Sequence, residues 1–232
     1  MQAFGLALQQ TLGDAGVQYA VWLTLEVACW VLVLHALAGL VLGYALSLRS
    51  WPGRSALDAL VTLPLVFPPM ALGFVLLLLL GRRGPLGAIL QSCCDMSLVF
   101  SVPGVVLAAF VAGLPLVVKP VQAALESLTA RLGEVARTLG KREWEIALFV
   151  LLPNVRRALA TGLVLGLGRS LGEVGITLML GGNIVGRTNT LSLEIYNAVF
   201  TADYSRGIVL TGLLAAASLL VFWSMRRLGG GR

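Results

Sequence analysis

"RLGEVARTLGKREWEIALFVLLPNVRR", residues 131–157, holds nine charged side chains, in a chain of 232 residues with 17 Lys and Arg and 11 Asp and Glu. Most of the remainder reads like lipid. The chain is 58% hydrophobic and 12% charged, whereas a soluble domain carries roughly a quarter charged residues. So little polar surface cannot cover a water-facing core of this size, and the surrounding solvent must be largely hydrocarbon. The net charge of +6 fits a membrane protein with basic cytoplasmic loops. It does not fit a nucleic-acid binder, because the basic residues are not gathered on a polar domain.

A membrane-spanning helix needs about 20 mainly apolar residues. Four runs free of formal charge meet or approach this: 27–48, 59–81, 96–118 and 207–225. The first can begin near Tyr19, taking in Glu26 at its outer end. A fifth run, about 158–184, is equally apolar but carries Arg169 and Glu173. Residues 1–18 lack a basic start and a small-residue cleavage site, so they do not read as a cleaved leader. They are expected to lie at the membrane interface, with a sixth helix as the alternative. Five spans place the two ends on opposite sides.

The count of Lys and Arg selects the orientation. With the N-terminus outside, eleven basic residues face the cytoplasm: Arg49, Arg54, Arg226, Arg227, Arg232 and the six of the quoted stretch. Only Arg82, Arg83, Arg187 and Arg206 face outside. The quoted stretch is therefore expected in the cytoplasm. The organisation that follows is an interfacial segment 1–18, one transmembrane domain 19–228 with a cytoplasmic loop about 131–157, and a short tail 229–232.

Two features are unusual at membrane depth. Pro64, Pro68 and Pro69 lie within one apolar run, and each removes a backbone donor. Either the helix is merely kinked for packing, or it is broken and lines a solute path, where freed carbonyls are tolerated. Arg169 and Glu173 are four residues apart, the spacing of one helix face. They read as an internal salt bridge or as part of a polar girdle in which Arg169 meets an anion. Gly166, Gly168, Gly172 and Gly175 offer small faces for close helix approach. Beyond them, Asn183 and Arg187 fall in a Gly-, Asn- and Thr-rich external loop, either merely solvated or able to contact an outside partner.

Enzyme chemistry has no foothold. There is no G-x-x-x-x-G-K-[ST] phosphate loop, so the chain should not bind ATP itself. One histidine cannot supply a catalytic triad, and His35 in its apolar run reads as structural. Cys29, Cys93 and Cys94 are too few and too unevenly spaced for a metal site, and the adjacent Cys93 and Cys94 read as free thiols or packing residues.

Within the quoted stretch, two short helical segments are expected to meet at Gly140, which permits a sharp turn. Pro153 is expected to stop the second segment at Leu152. A positive-inside loop accounts for the arginines but not for the spacing of Glu, Ala, Gly and Leu-Pro. Glu134-Val135-Ala136, three residues, Gly140, nine residues, Val150, one residue and Leu152-Pro153 resembles the E-A-A-x3-G-x9-I-x-L-P signature. That signature belongs to permease subunits of binding-protein-dependent ABC importers, with Val135 for the usual alanine and Val150 for the usual isoleucine. "LPLVFPPMALGFVLLLLLGRRGPLG" (63–87) and "LGRSLGEVGITLMLGGNIVGRTNTLSLEIYNAV" (167–199) are similar to molybdate permease subunits, and the likeness runs from about 51 to 204. Sulfate and tungstate permeases share the Arg-x-x-x-Glu-x-Gly core, and Val174 stands where molybdate permeases usually have phenylalanine.

The resemblance implies an all-α type I importer permease of about five helices, six in the alternative, in a bacterial inner membrane. It implies a homodimer, two partner ATPase subunits that bind ATP and Mg, a periplasmic molybdate-binding protein, surrounding lipid and no nucleic acid. This chain would carry no cofactor or metal. Glu134, Ala136 and Gly140, with Lys141 and Arg142, would form the knob that docks on the ATPase, and Pro153 would end it. Pro64, Pro68, Pro69, Arg169 and Glu173 would line or support the pathway, and Asn183 and Arg187 would meet the binding protein. Tungstate and sulfate or thiosulfate remain alternative cargoes. A secondary anion transporter is the rival class, though it would usually be longer and built from inverted repeats.

Overall fold

A computed structural model describes residues 2–48, 51–128, 132 and 134–229. Every regular element among them is helical. α1 (Gln2–Gly13) stops at Asp14, whose carboxylate accepts the Gly16 N–H at 2.7 Å and caps α2 (Ala15–Ser47). That bond, helped by the charge of Arg206, holds the Asp14 carboxyl below the ordinary carboxylate range against the opposing effect of burial. At 33 residues, α2 is about 50 Å long, more than a bilayer core requires.

The run expected to span 59–81 is two helices, α3 (Arg54–Val66) and α4 (Pro69–Leu80). They part at Phe67 and Pro68, where two successive prolines remove the donors that would continue the ladder. The broken ends are satisfied locally: Phe67 N–H donates to the Leu63 carbonyl and Leu72 N–H to that of Pro68, both at 2.9 Å. A tight turn then leads into α5 (Pro85–Cys94), bent by 47° from α4.

The third expected run, 96–118, is displaced. Asp95 and Phe100 adopt positive φ of 49° and 59°, so the chain turns before helix starts, and α6 covers Val102–Leu128. α6 continues through Lys119 because Asp58 of α3 pairs with it at 2.5 Å. Arg54 and Glu126 add a second bridge between the same helices at 3.0 Å, and Gln122 donates to Glu126 at 3.1 Å.

The charged stretch 131–157 includes α7 (Glu134–Thr138), α8 (Glu143–Glu145) and a π-helical turn, Ile146–Leu151, that runs into α9 (Leu152–Leu171). Pro153 does not stop the segment, contrary to expectation. It sits in the first turn of α9, where its missing N–H costs little. The wider π turn before it supplies the room that a proline ring denies to a regular helix.

The run expected at 158–184 also divides. α9 ends at Leu171, the chain opens over Gly172–Val174, and α10 covers Gly175–Gly181. α11 (Leu191–Phe200) and α12 (Tyr204–Gly229) complete the chain. Among the described residues four helices are long and apolar enough to cross a membrane: Ala15–Ser47, Val102–Leu128, Phe149–Leu171 and Tyr204–Trp223. The bent α4–α5 pair passes the same test jointly, as a broken fifth span or a re-entrant loop. Counted as one span, the pair brings the total to the expected five, assembled from other residues than the run 59–81.

α2, α6 and α9 form the packed centre. Small residues let them approach: a Cβ at Gly39 would lie 2.7 Å from Val117, one at Gly43 2.7 Å from Val121, and one at Gly162 3.0 Å from the Val117 backbone. His35 is fully buried there, with Nε2 at 2.9 Å from the Phe110 carbonyl. The histidine thus bonds α2 to α6, as a structural residue would.

Candidate functional site

Three regions hold the residues singled out by the sequence. The first is the junction of the two broken helices. Gly175, at the start of α10, faces the break between α3 and α4: a Cβ on it would lie 3.1 Å from both the Met70 nitrogen and Pro69 Cβ. Gly73 of α4 meets α10 in return, its Cβ position lying 2.9 Å from Ile176 Cα. The two breaks therefore abut, and glycine at each contact allows it. Pro68, Pro69 and Met70 are nevertheless exposed, while Pro64 is half-buried one turn earlier.

Glu173 does not lie on the face of a continuous helix with Arg169. It sits in the break, 3% exposed. One carboxylate oxygen accepts the Ile176 N–H at 2.8 Å and so caps α10. The other meets Arg169 Nη1 at 2.6 Å. The spacing of four still brings the pair together, because Arg169 is in the last turn of α9 and reaches past the helix end. Ser192 of α11 donates to the Leu171 carbonyl, which satisfies an acceptor left open where α9 stops. Ser170, Thr177, Thr24 and Thr190 contribute the polar part of a small, mainly apolar space of about 20 Å³ beside Glu173. Of the four glycines marked for close packing, Gly166 and Gly175 serve that purpose, whereas Gly168 has no neighbour within 4 Å and Gly172 only a backbone oxygen at 3.9 Å.

Removing Arg169 would leave a buried carboxylate without its cation. Breaking a buried pair costs about 3–5 kcal/mol, and the lower end applies because the Arg169 side chain keeps 33% of its exposure. Arg169→Ala is expected to lower the thermal midpoint of the solubilised protein. The neutral double variant Arg169→Gln with Glu173→Gln should recover most of that loss in the same melt.

The second region is the knob made by α7, α8 and the turn between them. Gly140 has φ +75°, its N–H donates to Arg137 O at 2.9 Å, and Lys141 N–H to Ala136 O at 3.1 Å. This is a Schellman closure of α7. Arg142 N–H donates to Glu145 Oε2 at 2.9 Å and restarts the helix, while Lys141 Nζ lies 3.6 Å from Glu145 Oε1. The side chains of Glu134 and Glu143 and the whole of Arg131 lie outside the described residues. Ala136 faces inward, 7% exposed, against Val121, Leu125, Ile146, Leu151 and Val155. It attaches the knob to α6 and α9. Val135, Leu139 and Trp144 are exposed instead, Leu139 at 75%. Sequence alone gives aromatic Trp144 a place in this knob but does not mark Val135 and Leu139 as exposed; the signal is their alternation with charge around a glycine.

At the opposite end of α6, Asn183 and Arg187 lie in the loop between α10 and α11. The Asn183 amide is occupied by Asn197, donating to its side-chain oxygen at 2.7 Å. Arg187 is exposed, and its backbone carbonyl accepts the Tyr19 hydroxyl at 2.9 Å. Nearby, Arg206 pairs with Asp14 and with buried Glu194, both at 2.9 Å, a network unforeseen because its members are far apart in sequence. Cys29 and Cys93 are free thiols. No cluster of His, Cys, Asp and Glu able to hold a metal occurs among the described residues.

The profile of a family described as "Binding-protein-dependent transport system inner membrane component" matches residues 36–230. The chain is 36% identical over 206 residues to the molybdenum transport system permease protein ModB of Azotobacter vinelandii, covering 89% of this chain and 91% of that protein. It is 34% identical over 216 residues to the sulfate transport system permease protein CysW of Synechocystis sp., covering 91% and 78%. Among solved structures, a bacterial alginate ABC transporter in complex with an alginate pentasaccharide-bound periplasmic protein superposes with a TM-score of 0.76 at 18% identity, covering 98% of this chain and 86% of that one. At that identity the likeness speaks for the fold.

Proposed function

The chain belongs to the family of inner membrane components of binding-protein-dependent transport systems, and on that premise we propose that it is the permease of a molybdate importer. It is an ABC importer permease, a non-catalytic subunit whose ATPase is a separate chain. The observation that carries molybdate is the 36% identity to a molybdenum permease along 91% of its length. The 34% identity to a sulfate permease, with Val174 beside Glu173, supports sulfate as the second reading.

In the proposed cycle two copies of the chain enclose the pathway and each knob docks on an ATPase subunit. ATP binding draws the knobs together and opens the pathway to a periplasmic binding protein; hydrolysis returns it to face inward. Each state needs contacts that the other lacks. The abutting breaks of α3–α4 and α9–α10 are the place where helices can shift without tearing a regular ladder. Val66, 81% exposed, and Phe67, Met70 and Phe74 beside it leave an apolar face for the second copy. The segment 131–157 is cytoplasmic in this reading, as the positive-inside count requires.

Uptake of labelled molybdate into proteoliposomes holding permease, ATPase and binding protein, with tungstate and sulfate as competitors, tests the cargo. ATP-dependent uptake blocked by tungstate and spared by equal sulfate is expected. Competition by sulfate alone would replace molybdate with sulfate, and oxyanion uptake independent of ATP would overturn the reading.

A further inference from the structure

Three of the four arginines assigned to the outside converge on one cavity. Arg82 and Arg83, from the turn between α4 and α5, and Arg187, from the loop between α10 and α11, line a space of about 900 Å³. Ser97 and Ser101 line it too, as does Gly84, which caps the N-terminus of the ten-residue α5. No carboxylate is among the lining residues. The fourth outer arginine, Arg206, is neutralised by Asp14 and Glu194. Arg82, Arg83 and Arg187 have no carboxylate within ion-pair distance among the described residues. Asp95, the acidic residue nearest in the following segment, is turned to Gln91 at 2.5 Å.

Cations are sparse on the outer side of a membrane protein, so bringing three unpaired ones to one concave site is not a by-product of topology. A cleft lined by one sign of charge, with low-dielectric walls, focuses the field and raises the local concentration of counter-ions by about 10–1000-fold. The positive end of α5 adds to that field; the Ser97 and Ser101 hydroxyls donate to the Val99 and Leu98 carbonyls, so the arginines supply the donors. We propose that this cavity is an anion antechamber: a weak, hydrated binding site for a small dianion such as a tetrahedral oxyanion, at the outer mouth. The concavity favours a small anion over the flat acidic face of a docking protein. The site lies beside Ser101, just before α6, whereas the knob packs at the far end of that helix. The 27 residues of α6 separate them by about 40 Å, so the site is distinct from the docking region. The inference rests on the orientation and cargo class proposed above.

The test uses the full chain in complex with its ATPase, with Cys29, Cys93 and Cys94 changed to Ser and a fluorophore on Ser97→Cys. Quenching by iodide is compared with quenching by neutral acrylamide. Iodide is expected to quench several-fold more efficiently, and millimolar sulfate or molybdate to suppress the excess. Arg82→Gln with Arg83→Gln and Arg187→Gln should abolish the excess, while the three Lys substitutions retain it. Equal iodide and acrylamide quenching in the unsubstituted arginine background overturns the proposal. So does an unchanged iodide excess in the triple Gln variant combined with lost capture of the binding protein, which would assign the arginines to that protein. An iodide excess in a complex that transports no oxyanion would leave the antechamber standing and remove the proposed cargo.

Discussion

Gly140→Pro is expected to leave the chain inserted and folded, yet to abolish co-purification of the ATPase and cut oxyanion uptake at least about tenfold. Proline fixes φ near −65°, while Gly140 has φ +75°. Proline also has no N–H to give the Arg137 carbonyl, now bonded at 2.9 Å. The cost of about 3 kcal/mol would reduce the population of the formed knob about a hundredfold. It would stay local, because α7 is five residues long and, of its described side chains, only Ala136 is buried. A graded series separates shape from contact. No atom lies within 4 Å of a Cβ at this position, so Gly140→Ala clashes with nothing and loses only the left-handed preference, about 1–2 kcal/mol. Asn tolerates that conformation, and Gly140→Asn should retain most uptake. Full uptake and ATPase retention in Gly140→Pro would refute a docking role for this turn.

Gly113→Leu is expected to prevent correct packing of the chain altogether. A Cβ at Gly113 would sit 2.4 Å from the Gly166 carbonyl oxygen, 2.5 Å from His35 Cε1 and 2.6 Å from Ser170 Oγ. None of these groups is a free-swinging tip. The first is backbone; His35 bonds the Phe110 carbonyl, and Ser170 bonds the Ala109 and Gly166 carbonyls at 2.6 and 2.9 Å. Overpacking costs about 1–3 kcal/mol where the surroundings can yield; here three helices would have to separate. Gly113→Ala should already lower the detergent melting temperature sharply. Gly168→Ala is the control: nothing lies within 4 Å, and alanine is the better helix former by about 1 kcal/mol, so the melt should hold or rise. Equal melts for Gly113→Ala and Gly168→Ala would discard this account of the core.

How far the sequence could be read depends on the range of each interaction. The turn at Gly140 and the pairing of Arg169 with Glu173 are local, within a few residues, and spacing alone carried them. Helix limits were harder where a distant partner decides. Lys119 closes the charge-free run 96–118, yet Asp58, 61 residues away, lets it stay in α6. Pro153 was expected to stop a helix, and the π turn that accommodates it has no sequence signature of its own. Gly168 and Gly166 look alike in a sequence, yet only Gly166 has a neighbour to meet. Apolar periodicity is silent on such points in a chain where lipid-facing and protein-facing side chains are equally greasy. The network of Asp14, Glu194 and Arg206 was out of reach for the same reason, since its members meet only after three helices have packed.

The π turn also has a mechanical meaning. From Ile146 to Leu171 the chain is helical without interruption, and its regular part, the 20 residues of α9, is about 30 Å long. One end is loosened by the widened turn under the knob, the other by the gap that holds Glu173. A stiff rod with a pliant joint at each end is a connecting rod. In the proposed cycle a tug on Ala136 would not need to bend it; the rod would slide or swivel whole and carry the stroke to the place where the two interrupted helices touch.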